Sequence, residues 1–206
     1  TSAMQLKGAT VCVLTGTTTE LNLADFSRVN NMNIKPVTFE DSNVRNDTYL
    51  QGGCDALTND KSGLASNKAA FPNPGDHIVL PETISKEPLA PAVRQGDAQW
   101  FDIVKWTVYT LINAEELGVN KGNVDKMRST STNASVRRML GVEGNLNEGL
   151  GLSKDWAYNI IKEVGNYGEI YEAYMGGGKL GIGISRAGSA NALWTKGGLM
   201  YAPPFR

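Results

Sequence analysis

The chain has 206 residues, long enough for one large domain or two small ones, and 41% of them are apolar, an ordinary share for a globular protein. Its formal net charge is −1, with no basic block, which argues against nucleic acid and anionic membrane as partners. No apolar run approaches the ~20 residues of a membrane helix. A single histidine, His77, excludes a histidine-rich metal site, and two cysteines are too few for structural zinc, so no metal and no cofactor are expected.

The chain opens on Thr1 with no charged-then-apolar segment, so a processed or trimmed product is expected, its signal peptide absent or already removed. Residues 1–10 read as a polar lead-in with a turn at Lys7-Gly8. Val11-Cys12-Val13-Leu14 then reads as a short buried strand, Gly16 as a sharp turn, and Thr17 as the start of a helix. Thr17 followed three residues later by Glu20 has the spacing of a capping box. Leu21, Ala24 and Val29 recur at roughly helical intervals. A strand aimed at such a helix start presents hydroxyls, unpaired N–H groups and a partial positive charge, which suit an anion. The plainer role of the same threonines is to cap the helix.

Asn30 to Asn33 breaks this helix, because asparagine favours turns. Lys35 to Phe39, with Pro36 near its start, is the next strand, and strand–helix–strand is a βαβ unit. A loose helical pattern through Val44, Thr48 and Leu50 ends at Gly52-Gly53. Cys54-Asp55-Ala56-Leu57-Thr58 is a third strand that runs into Asn59-Asp60. Ligands of an open parallel sheet bind beyond the carboxyl ends of its strands, and Thr17 and Asp60 both lie just past such ends. Cys12 and Cys54 stand at strand starts. Neighbouring strands could bring them into disulfide range, and a bridge closing about 40 residues would contribute up to ~4 kcal/mol. Two buried free thiols are the alternative.

His77 to Pro81 reads as a fourth strand after a turn at Asn73-Pro74-Gly75-Asp76. Glu82 to Pro91, holding Pro88 and Pro91, suits a linker between lobes, with Ala92-Val93-Arg94 a short strand beyond it. From Asp97 to Gly118 a helix is expected, with Trp100, Phe101, Val104, Val108, Leu111 and Ile112 as its apolar stripe. Residues 119–153 are Gly-, Asn- and Ser-rich, with a short helix at Ser135 to Leu140. Trp156, Ile160, Val164, Tyr167, Tyr171 and Tyr174 give a second stripe, interrupted at Gly165. The glycine-rich stretch Gly176 to Gly188 lacks a P-loop ending and follows no clear strand, so no phosphate is assigned to it.

The rim at Thr17, Thr18 and Asp60 matches the needs of a zwitterion. A carboxylate requires several donors, and an ammonium requires a carboxylate. Enzyme chemistry finds less support. There is no Gly-x-Ser-x-Gly elbow, and only Asp60 and Glu20 offer themselves as general acid and base.

Leu6-Lys7-Gly8-Ala9-Thr10-Val11 through Gly16-Thr17-Thr18, with Gly53-Cys54-Asp55-Ala56-Leu57-Thr58-Asn59-Asp60, resembles the second lobe of periplasmic amino-acid-binding proteins of ABC transporters. Ile84-Ser85-Lys86-Glu87-Pro88-Leu89, Ala92-Val93-Arg94-Gln95-Gly96-Asp97, Asp155-Trp156-Ala157-Tyr158 and Asn191-Ala192-Leu193-Trp194-Thr195-Lys196-Gly197-Gly198-Leu199 extend the likeness to the general L-amino-acid-binding subfamily. The resemblance implies an α/β clamshell of the type II periplasmic-binding-protein class. Residues 1–86 would be its second, inserted lobe, 87–120 the hinge return with a strand and helix of the first lobe, and 121–206 a helical C-terminal extension packing on that lobe. It implies that Thr17 and Thr18 hold a ligand α-carboxylate with Gly16 giving the turn, that Asp60 holds the α-ammonium, and that Cys12 and Cys54 are paired. The implied function is capture of free L-amino acids in the periplasm for a membrane ABC permease, without enzymatic activity. An amino-acid dehydratase on the same fold is the runner-up, and a sensor lobe would need a DNA-binding or membrane segment.

Three departures from the family are visible. The N-terminal stretch that forms most of the first lobe, with an arginine that clamps the carboxylate, is missing. A truncated form with impaired binding is therefore expected, one that self-associates or needs a complementing N-terminal segment. Lys61 stands where glutamine is typical, and Gly176 to Ser189 is longer and richer in glycine than usual.

Overall fold

Alternation along Thr10–Leu14 (β1) decides how the first part of the chain is built. Side chains of a strand point to opposite faces in turn. Val11 and Val13 share one face and pack with Leu23, Ile34, Ala56 and Ile84. Cys12 lies between them, fully buried, and faces the other way into a disulfide with Cys54, Cα–Cα 5.7 Å. The computed structural model describes residues 1–206 and contains two compact units, Thr1–Leu89 and Ala90–Arg206.

In the first unit, β1 is the centre of a three-stranded sheet, with Lys35–Phe39 (β2) and Ala56–Leu57 (β3) on either side. Both pairings are parallel, with Cys12 level with Val37 on one side and with Leu57 on the other. The edge position of β2 explains how Pro36 is tolerated, since its missing N–H faces no partner strand. Thr18–Val29 (α1), Ser42–Leu50 (α2) and Lys61–Ala70 (α3) follow the three strands in turn. Asp55 locks the start of β3 to the start of β1. Its Oδ2 accepts from the Thr10 N–H and the Thr10 hydroxyl, both at 2.7 Å.

The sheet stops at three strands. The expected fourth strand at His77 to Pro81 is irregular, as is Ala92 to Arg94. Side-chain packing holds His77 instead of a strand ladder. Its Nδ1 lies 2.9 Å from the Tyr49 hydroxyl, and its ring sits 5.2 Å from that of Phe71.

The second unit is helical. Asp97 caps Ala98–Glu116 (α4) by accepting from the Trp100 N–H at 2.9 Å. The buried side of α4 is Thr110, Ile112, Asn113 and Ala114, whereas Trp100 and Phe101 of the expected stripe are about half exposed. Val124–Thr130 (α5), which the polar composition concealed, and Ala134–Met139 (α6) follow. The second stripe forms two helices, Trp156–Val164 (α7) and Tyr167–Tyr174 (α8). Gly165 separates them at φ 84°, and a Cβ there would meet the Glu169 carboxylate. That carboxylate is needed, because Asn166 and Glu169 form a reciprocal capping box at the start of α8. The core joins Val119, Val136, Met139, Leu140, Trp156 and Ile161. Phe205 completes it, its ring 5.5 Å from Trp106 and 6.1 Å from Trp156.

Candidate functional site

The rim of the sheet starts from the turn after β1. Gly16 adopts φ 69°, a left-handed conformation that glycine takes without strain and that lets the chain turn at once into α1. Thr17 is the cap. Its hydroxyl donates to the Leu14 carbonyl at 2.7 Å and accepts from the Glu20 N–H at 3.2 Å. The capping box expected here is therefore only half formed. The Glu20 carboxylate bypasses the Thr17 N–H and accepts instead from the Gly16 N–H at 2.7 Å.

Thr18, the first residue of α1, is exposed, and its N–H and that of Thr19 make no hydrogen bond within the chain. Its hydroxyl donates to the Glu87 carboxylate at 2.5 Å. Beside it lies an open depression of about 440 Å³, lined by Thr18, Leu21, Asn22 and the segment from Lys86 to Leu89.

Asp60 stands beyond the end of β3, where it precedes α3. Its side chain is exposed and makes neither a cap hydrogen bond nor an ion pair. Because Cys12 is level with Leu57 and the strands are parallel, continuing the register places Asp60 level with Thr15. The free carboxylate and the open end of α1 thus share one edge of the sheet, on adjacent strands. Lys61 follows at the first position of α3, also exposed. Three features follow for chemistry. The helix end offers N–H donors and partial positive charge, Asp60 offers a counter-charge for a cation, and the Thr17 hydroxyl is already committed to the backbone. No group of three or more His, Cys, Asp or Glu side chains is arranged to hold a metal ion.

Over its whole length this chain is 55% identical to the general L-amino acid-binding periplasmic protein AapJ of Rhizobium johnstonii. It is 50% identical to the glutamate/glutamine/aspartate/asparagine-binding protein BztA of Rhodobacter capsulatus, again over the whole chain. In both cases the match spans 60% of the relative's length. A solved ABC transporter periplasmic binding protein from Brucella ovis, with glutathione bound, superposes on the whole chain with a TM-score of 0.91 at 50% identity, covering 63% of that protein. Along its whole length the chain is similar to periplasmic amino-acid-binding proteins of ABC transporters, of which it spans about 60%. No family model matches it.

The match to the Brucella ovis protein gives the chain the α/β fold of that binding-protein class, and these relatives are named as binding proteins, none as an enzyme. The Cys12–Cys54 pairing that the resemblance implied is present, and it joins β1 to the segment that leads into β3. Two contacts at the rim were not foreseen from sequence: Glu20, a capping-box partner and candidate acid or base by spacing, takes the Gly16 N–H, and Glu87, only part of a motif, takes the Thr18 hydroxyl. No local pattern announces a contact between positions 18 and 87; it arises because residues 84–89 pass back over the start of α1.

Proposed function

We propose that this chain carries one wall of an L-amino-acid site of a periplasmic ABC-transporter binding protein, and that it works with a membrane permease. On this reading residues 1–86 are the inserted lobe, 87–120 the hinge return, and 121–206 the helical extension. The turn at Gly16 and the end of α1 at Thr17 and Thr18 receive the ligand α-carboxylate through backbone N–H groups and the Thr18 hydroxyl. Asp60 receives the α-ammonium. One observation carries the reading. A carboxylate without a partner and a helix start with open N–H groups lie on neighbouring parallel strands, in a chain about half identical to amino-acid-binding proteins.

The glutathione in the Brucella ovis protein supports a broader ligand class. Glutathione ends in a free α-amino-acid head, so the same rim would accept that head on a longer body. Because the relatives extend beyond the matched span, the opposite wall is assigned to sequence outside these 206 residues. Taken alone, the chain then binds weakly and self-associates or pairs with a complementing N-terminal segment.

Calorimetric titration with L-alanine, L-glutamine, L-glutamate and glutathione tests this, on the chain and on a version carrying the full span of the relatives. In the longer form Asp60→Ala is expected to weaken binding by about 2–5 kcal/mol, since a desolvated charge pair is broken. Unchanged affinity would remove Asp60 from the site.

A further inference from the structure

The open end of α1 is not empty of carboxylates. Glu20 takes the Gly16 N–H at 2.7 Å, and Glu87, 69 residues from Thr18 in the chain, takes the Thr18 hydroxyl at 2.5 Å. The two are held differently. Glu20 belongs to α1 itself, one turn in, and bonds across four residues. Glu87 belongs to an irregular, exposed segment that holds Lys86, Pro88 and a three-quarters-exposed Leu89, and it can leave without disturbing a helix or strand.

The geometry points to Glu87 as an affinity-setting residue of this site, an internal carboxylate that a ligand carboxylate must displace from Thr18. The inference rests on the amino-acid-binding reading above and adds to it a residue and a competition. Both carboxylates want the same donor, and a hydroxyl has one proton to give. The contact is charge-assisted and short, yet exposed to water, so it holds the segment down without making displacement prohibitive. While Glu87 is seated, its charge also repels an incoming carboxylate. Once displaced, it frees the depression bordered by Thr18, Leu21 and Asn22. Ligand-free and ligand-bound forms then differ in the position of Lys86 to Leu89, with the sheet unchanged.

The experiment uses the version spanning the relatives' full length, titrated with L-alanine, L-glutamine and L-glutamate, in wild type, Glu87→Gln and Glu163→Gln. Glu163 is exposed on α7, and its side chain makes no hydrogen bond, so its variant removes the same charge away from the site. Glu87→Gln is expected to bind about threefold to tenfold more tightly than wild type, the scale of one exposed charge-assisted hydrogen bond. Glu163→Gln should match wild type. Carboxyl ¹³C signals should show Glu87 moving to the position of a free side chain as ligand is added. Binding with Glu87→Gln equal to or weaker than wild type, or with the Glu87 signal unmoved, overturns the displacement and leaves amino-acid binding standing. Failure of all three forms to bind any of these amino acids overturns the binding reading and the displacement together.

Discussion

Thr17 and Thr18 are neighbours of one residue type with separate tasks. The Thr17 hydroxyl is enclosed between the Leu14 carbonyl and the Glu20 N–H, so it belongs to the fold. The Thr18 hydroxyl faces outward to Glu87, and on the proposed reading it serves the ligand. Thr17→Val is therefore expected to cost about 1 kcal/mol of stability in urea unfolding, the usual loss for a helix cap. Thr18→Val should leave unfolding unchanged and weaken amino-acid binding in calorimetry. Asp55 provides a pH test. Hydrogen bonds from the Thr10 hydroxyl, and then from its N–H, hold the Asp55 carboxyl below the usual carboxylate range. A depressed folded value stabilises the protein fully above the ordinary aspartate range, ~pH 4, and that stabilisation is lost as pH falls through the depressed value. Asp55→Asn should melt at a lower temperature than wild type near pH 7, and the gap should narrow as pH falls below the ordinary aspartate range. A gap independent of pH would show that the carboxylate charge is not what matters. The position of Thr17, Thr18 and Asp60 just past strand ends was legible in the sequence, because strand ends followed by turn residues are local patterns. Glu87 stayed hidden because a contact across 69 residues leaves no local trace.

At the scale of elements, the glycine-rich segment after α8 is held at its start by the Glu172 carboxylate, which accepts from the Gly177 N–H at 2.7 Å, and is fastened to α4 at its far end by Arg186. Arg186 donates from Nη1 to Glu115 at 2.6 Å and from Nε to the Asn191 carbonyl at 2.5 Å. Its guanidinium also lies 4.9 Å from the Tyr167 ring centre. Burial raises the Tyr167 pKa, with the Arg186 charge opposing it. The Glu115–Arg186 pair is mostly enclosed, with side chains 13% and 14% exposed, so removing one partner strands the other. Arg186→Met is expected to cost about 3 kcal/mol and to raise hydrogen exchange across residues 176–189 first. Even protection across that segment would locate the anchor elsewhere. Composition showed this stretch as glycine-rich but not as a tethered strap, since the link to α4 depends on one arginine that meets Glu115 71 residues away. The helices show the same limit. Strong apolar periodicity revealed α4 and the α7–α8 pair, and Gly165 marked the break between them. α5 was missed because its sequence, Val124 to Thr130, buries only Val124.

At the scale of the whole molecule, the sheet was legible up to its third strand and overextended at the fourth. His77-Ile78-Val79-Leu80 has the composition of a strand, but Pro81 follows it, and the His77 ring packs against Tyr49 and Phe71 while the segment joins no ladder. The disulfide lies wholly inside the first unit and spans 42 residues. Closing such a loop contributes about 4 kcal/mol on the chain-entropy model. Calorimetric scans with and without reductant should lower one transition, that of Thr1–Leu89, and leave the helical transition in place. A uniform shift of both would mean that the units melt as one.

The seat of Phe205 between Trp106, which it meets edge-on, and Trp156, on which it stacks, has an optical corollary. All four tryptophans, at positions 100, 106, 156 and 194, fall in the helical unit, and the sheet unit has none. Indole emission is therefore a reporter of one half of the chain. Reductive collapse of the sheet would leave the emission maximum where it was while the far-ultraviolet dichroism changed. Quenching or red-shifting, conversely, would register events around these four indoles, of which Trp106 and Trp156 flank Phe205 and Trp100 and Trp194 are about half exposed. An extrinsic fluorophore placed near Leu89 would report on the sheet unit, which has no indole of its own.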